Sequence, residues 1–164
     1  MSGDERAGGC ACGQVRYALT AAPLFVQACH CRDCQRLSGA AFAVNLWADE
    51  ATLALRAGRL NTVALPSGSG RGHDLSFCPR CGTHLWGRYR AAVAGLVFVR
   101  SGTLDDTSDV RPRAHVFTRS RQPWVVLPDG VPAFEASYDP AEVWPAADLA
   151  RLRAVAVRGR PAGS

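Results

Sequence analysis

The 164-residue chain contains no lysine; all nineteen of its Lys and Arg positions are arginine. It also lacks any run near the roughly 18 consecutive apolar residues that a membrane span needs. Its opening Met1-Ser2-Gly3-Asp4-Glu5-Arg6 has no apolar segment of the signal-peptide kind. These absences exclude a membrane partner at this stage and lead to the expectation of a cytoplasmic protein. A reducing cytosol disfavours structural disulfides, so clustered thiols are read there as metal ligands or reactive groups. The odd count of seven cysteines points the same way. A net charge of +5 raises the question of nucleic acid. The arginines, however, are scattered from Arg6 to Arg160 and form no single basic stripe, so nucleic acid is not an expected partner. The tail with Arg151, Arg153, Arg158 and Arg160 is their only local concentration.

No internal repeat of fixed period is present either. With 48% of its residues apolar, the chain is able to bury a core as one domain without disulfides. Short apolar stretches broken by turn residues predict strands over 14–19, 24–29, 41–47, 52–56, 60–65, 83–88, 95–100 and 114–117, hence a mostly β fold. Pro66-Ser67-Gly68-Ser69-Gly70 and Leu127-Pro128-Asp129-Gly130 are the clearest breaks, and the segment from Ser67 to Gly72 reads as a mobile loop. Two segments read as helical: a short turn over 32–37 and a carboxy-terminal stretch over 146–157 with Leu149, Leu152, Ala156 and Val157 near one face. The division expected is a domain over 5–138 and an extension over 139–164, partly helical and then frayed. Trp47, Trp86, Trp124 and Trp144 are assigned to core or edge packing.

The cysteines form three groups: Cys10-Ala11-Cys12, Cys29-His30-Cys31-Arg32-Asp33-Cys34 and Cys78-Pro79-Arg80-Cys81-Gly82. Two cysteines one or two residues apart on a tight turn direct both sulfurs to one ion, and tetrahedral zinc takes four soft ligands at about 2.3 Å. Pairing the outer groups gives Cys10, Cys12, Cys78 and Cys81, a closed set for a structural zinc. Cys29, Cys31 and Cys34 remain as three ligands on one short segment, the arrangement expected of a catalytic zinc with an open, labile position. Two Zn²⁺ per chain are therefore expected. Spacing alone also admits other partitions, including a two-metal cluster with shared thiolates. His30 is a further candidate for the inner fourth ligand; with Cys29 and Cys31 turned to the metal, its ring points away.

Three thiolates leave a zinc ion net negative, which makes it a weak Lewis acid and a poor generator of hydroxide. A coordinating thiol is still deprotonated, and the excess charge keeps its sulfur nucleophilic. An incoming small thiol fits this chemistry best. Arg32 and Arg36 flank the inner group, where they are expected to meet substrate carboxylates or simply to cover the surface. Asp33 is expected to orient Arg32 or cap the short helix. His84 and His115 are candidates for lining a pocket, His73 falls in the loop, and no general base is assigned.

Three segments together resemble the glutathione-dependent formaldehyde-activating enzyme family, also called the centromere protein V/GFA domain. They are Gly8-Gly9-Cys10-Ala11-Cys12-Gly13-Gln14-Val15-Arg16-Tyr17, the run from Cys29 to Gly39, and Phe77-Cys78-Pro79-Arg80-Cys81-Gly82-Thr83. Ser101-Gly102-Thr103-Leu104-Asp105 and the segment from His115-Val116-Phe117 to Pro123-Trp124 are similar to it too, so the resemblance spans about residues 5 to 135. It implies a mostly β, Mss4-like fold, structural zinc on Cys10, Cys12, Cys78 and Cys81, and catalytic zinc on Cys29, Cys31 and Cys34. It further implies S-(hydroxymethyl)glutathione synthase activity, a carbon–sulfur lyase reaction with glutathione and formaldehyde as partners. The chain departs from the family pattern at Leu75, where arginine is frequent, and at Thr83, where serine is usual. Two other expectations stand beside the enzyme: a non-enzymatic carrier that holds glutathione on the open zinc, and a macromolecule-interaction module that uses the basic tail.

Overall fold

The computed structural model describes residues 5–159. In chain order the strands are β1 (Arg6–Gly9), β2 (Arg16–Leu19), β3 (Phe25–Cys29), β4 (Ala43–Asp49), β5 (Leu53–Ala57), β6 (Asn61–Leu65), β7 (His73–Phe77), β8 (His84–Tyr89), β9 (Leu96–Arg100) and β10 (His115–Val116). The helices are α1 (Arg32–Ser38), α2 (Pro140–Val143) and α3 (Ala146–Arg158). A three-stranded sheet runs β1-β2-β5, and a seven-stranded sheet runs β10-β3-β4-β9-β8-β7-β6. All pairings are antiparallel except β10 with β3. The mostly β architecture expected from the sequence is what forms, and none of the described helices is long and apolar enough to cross a membrane.

Both faces of the large sheet are covered. On one face Leu46, Trp86, Val97 and Val99 pack with Tyr17 and Leu19 of the small sheet, and Cys10 and Cys78 belong to the same cluster. On the other, Leu24, Phe25 and Leu96 pack with Trp144 and Val155, which α2 and α3 bring in. Adjacent residues of a strand face opposite sides. Leu46 and Trp47 on β4 accordingly serve the two clusters separately. The carboxy-terminal segment contributes real packing: Trp144 stacks on Phe25 with ring centroids 4.5 Å apart, and its Nε1–H donates to the Tyr138 hydroxyl at 2.9 Å. The expected frayed end after Arg158 lies, from residue 160 on, outside the described residues.

Eight strands and two helices read from the sequence form within two residues of their expected bounds; β1, β7 and α2 were not read. β1 is hidden by Gly8-Gly9, a poor strand pair by propensity. Gly8 is required because a Cβ there would lie 2.6 Å from the Tyr17 ring and 2.5 Å from the Thr103 carbonyl oxygen. β7 carries the polar His73, Asp74 and Ser76, yet His73, Leu75 and Ser76 are buried in the sheet. The segment before it, expected as a mobile loop, is a connection in which the buried Ser67 hydroxyl accepts from the Gly72 amide at 3.0 Å. Trp124 departs from the packing role assigned to it and is 73% exposed.

Replacing Trp144 by alanine removes a buried indole from the second cluster and should cost about 3–5 kcal/mol in urea unfolding. A loss below about 1 kcal/mol would show that the segment beyond residue 138 is an independent appendage.

Candidate functional site

Two knuckles of like construction bring the outer cysteines together. After β1 the chain turns at Cys10, whose carbonyl accepts from the Gly13 amide at 3.0 Å, with Gly13 at φ 75°. After β7 it turns at Cys78, whose carbonyl accepts from the Gly82 amide at 3.0 Å, with Gly82 at φ 72°. Glycine adopts this left-handed conformation without a Cβ penalty. The four sulfurs of Cys10, Cys12, Cys78 and Cys81 lie within 4.8 Å of one another, with Cys10 to Cys12 at 3.5 Å and Cys12 to Cys78 at 3.8 Å. Tetrahedral zinc with bonds of about 2.3 Å separates its sulfurs by about 3.8 Å, so this set fits that ion. Thr83 serves here too: its hydroxyl accepts from the Ala11 amide at 3.2 Å and sits 3.2 Å from the Cys81 sulfur.

The inner set is supplied by one segment. Cys29 ends β3, Cys31 caps α1, and Cys34 lies in the first turn of that helix. Their sulfurs also lie within 4.8 Å of one another. Cys31 accepts from the Cys34 amide at 3.3 Å, so this cysteine is both candidate ligand and helix cap. His30 joins no ligand group among the described residues: it is fully buried, with Nε2 3.0 Å from His115 Nδ1. Its carbonyl accepts from Gln35 Nε2 at 2.7 Å and from the Ser120 hydroxyl at 2.9 Å. Gln35 in turn donates to the Ser120 carbonyl at 2.8 Å and accepts from Gln122 at 2.8 Å. Sequence reading missed this lock, because Ser120 and Gln122 lie 85 residues or more from His30 and Gln35.

Three thiols this close cannot all ionise on their own. The Cys34 thiol is held down to about 2 by hydrogen bonds from Cys29 and then Cys31, helped by the Arg100 guanidinium. The Cys29 thiol is pushed far up by its contacts with Cys31 and Cys34 and by burial. A divalent cation relieves that conflict by stabilising every thiolate at once. The donor set therefore suits a soft metal as the outer set does.

Beside the inner set lies a pocket of about 490 Å³, walled by Phe42, Val44, Thr83, His84, Arg100 and Ser101 among others. Arg100 ends β9 and reaches three groups: Nη1 donates to Asn45 Oδ1 at 2.7 Å and lies 3.7 Å from Cys34 Sγ, while Nε donates to His84 Nδ1 at 3.2 Å. His84 Nε2 lies 3.1 Å from the Trp86 carbonyl, which only accepts, so Nε2 carries the proton. Both ring nitrogens are thereby engaged, and burial, then Arg100, lower this imidazole to about 4. Burial also lowers His73, which stands at the start of β7 and not in the expected loop. Of the pocket candidates His84 lines it and His115 does not. Arg32 is instead bonded to Gln35, and exposed Arg36 lies 3.9 Å from Asp33. Arg100, Asn45 and Gln35 carried no sequence signal, since each depends on partners from other elements.

The family model described as "Glutathione-dependent formaldehyde-activating enzyme" matches residues 5–120. A crystal structure of a Rhodobacter sphaeroides protein is similar over 65% of this chain and 92% of that one, at 23% identity and a TM-score of 0.48. No curated protein matches the chain.

Serine caps a helix as well as cysteine does but is a poor zinc ligand. Cys31→Ser should therefore lower metal content by one ion per chain while leaving the unfolding midpoint nearly unchanged. Cys78→Ser, in the core-embedded outer set, should cost several kcal/mol, and elemental analysis paired with thermal melts checks both. A second expectation concerns pH. The folded value of His84, about 4, lies below its ordinary 6.5, so as pH falls the unfolded chain takes up that proton first. The stability tied to this neutral ring is full above 6.5 and is lost as pH drops toward 4. An NMR titration of the imidazole showing a midpoint near 6.5 would contradict it.

Proposed function

Because the chain belongs to the glutathione-dependent formaldehyde-activating enzyme family, we propose that it is a zinc-dependent carbon–sulfur lyase. It adds the thiol of glutathione, or of a similar small thiol, to formaldehyde or a related small electrophile. The observation that carries this reading is the inner set itself, three converging sulfurs beside a pocket. In this reading Cys10, Cys12, Cys78 and Cys81 hold a structural zinc, and Cys29, Cys31 and Cys34 hold the catalytic one. With seven free cysteines, a reducing cytoplasm is the compartment we assign.

Cys29, Cys31 and Cys34 would hold the zinc, which would supply the positive charge that favours the thiolate form of a substrate thiol. The remaining work falls to the chain. In the net reaction the substrate sulfur forms a bond to the carbonyl carbon, the carbonyl π pair moves to oxygen, and the thiol proton ends on that oxygen. Arg100 steadies Cys34 through Nη1 and offsets the negative charge that accumulates with each thiolate. His84 has no free lone pair to act as base, because Nδ1 accepts from Arg100 and Nε2–H donates to Trp86. It fixes Arg100 in place. Phe42 and Val44 give the pocket an apolar wall that sheds water from a small aldehyde.

Glutathione and formaldehyde combine spontaneously, so the test is a rate above that background, followed by exchange NMR. Zinc-loaded protein should accelerate adduct formation, and Cys34→Ser should lower the acceleration at least about tenfold. Rates equal to buffer alone reject the lyase; glutathione binding without acceleration assigns the carrier role.

A further inference from the structure

Arg100 is, among the described residues, the only arginine or carboxylate-class side chain on the pocket wall, and it has no acidic partner. Among the described residues nine ion pairs join arginine to aspartate or glutamate, and none takes Arg100. Its protein contacts are two neutral acceptors, Asn45 Oδ1 and His84 Nδ1, and the Cys34 sulfur. Those contacts occupy Nε and Nη1. Nη2, with two N–H groups, makes no hydrogen bond among the described residues and belongs to a side chain that lines the cavity.

A guanidinium whose sole task was to offset the thiolate charge would need no fixed plane. Here the plane is set from two strands: Asn45 is buried and stands opposite Arg100 in the register of β4 with β9, and His84 is held on β8 by its bond to Trp86. Such bracing leaves the two N–H groups of Nη2 in one orientation, able to donate a charge-assisted hydrogen bond to a carboxylate oxygen. No acidic side chain lines the pocket to compete for it. The cavity volume lies in the range of small-molecule sites, about 300–1,000 Å³.

We infer that Arg100 is the specificity residue of this site: its free Nη2 group binds a carboxylate of the substrate, so the protein selects small thiols that bear a carboxylate over neutral ones. The inference rests on the proposed thiol reaction and narrows its substrate class. Sulfur and carboxylate are then read together, because Arg100 Nη1 stands only 3.7 Å from the Cys34 sulfur.

The test compares 3-mercaptopropionate with its methyl ester, the same thiol with and without charge, by calorimetric titration of the zinc-loaded protein. The acid should bind about tenfold tighter or more, as a charge-assisted hydrogen bond provides. In Arg100→Gln the two should come within about twofold of each other, with metal content unchanged. Equal affinities in the wild type, or a preference that survives in Arg100→Gln, overturn the inference. If that variant loses its inner metal, the wild-type ratio of acid to ester should fall as sodium chloride rises; a ratio insensitive to salt is then the overturning result. Should neither thiol bind and glutathione not react, the proposed function fails instead. Turnover of glutathione without preference for the acid removes only the role of Arg100.

Discussion

Both faces of β4 are buried, and that constraint sets its register against β3 on one side and β9 on the other. Slipping either pairing by one residue would exchange the two faces, taking Leu46 and Ala48 out of the cluster they share with Tyr17 and Val99 and Trp47 out of the one it shares with Trp144. The locked register has chemical consequences. It stands Cys29 opposite Ala43 and Arg100 opposite Asn45, so Cys29 at the close of β3 and Arg100 at the close of β9 emerge near each other at one end of the strands. The inner sulfurs, the guanidinium and the pocket all follow from that alignment.

The two cysteine sets use the same atoms under different constraints. Outer cysteines come from two knuckles 66 residues apart, and two of them, Cys10 and Cys78, are embedded in the core between the sheets. Closure of that set joins the chain's beginning to its middle, in keeping with the structural role proposed for it. Inner cysteines come from six consecutive positions and add no long-range tie of their own. The segment is fixed instead by Gln35 and Ser120 on the His30 carbonyl. In the proposed reading, these hydrogen bonds would let the inner site exchange a fourth ligand without disturbing the fold.

Charge gives the inner site its direction. Clustered thiols depress one another's ionisation, except at Cys34, where Cys29, Cys31 and Arg100 all favour the thiolate. The cation that serves Cys34 also faces the pocket, so one side chain couples the sulfur chemistry to whatever anion enters. His84 and His73, both lowered by burial, remain neutral near pH 7 and add no competing charge.

Most strands, both longer helices and the three cysteine groups were legible in the sequence, because each rests on short-range spacing. Alternation marks a strand, and Cys-x-Cys or Cys-x-x-Cys marks a knuckle, whatever lies elsewhere in the chain. β1 and β7 escaped notice because Gly8, His73 and Ser76 suit a strand only against the partners they meet across the sheets. The same holds for the pocket. Arg100, Asn45 and His84 come from three strands and become one hydrogen-bonded group only when β4, β9 and β8 align. The sequence by itself marked the three cysteine groups, and the fold then brought Cys10 and Cys12 to Cys78 and Cys81 and kept Cys29, Cys31 and Cys34 apart from them. Tertiary structure decided which charge stands beside them, since a guanidinium takes its orientation from partners that no local pattern records.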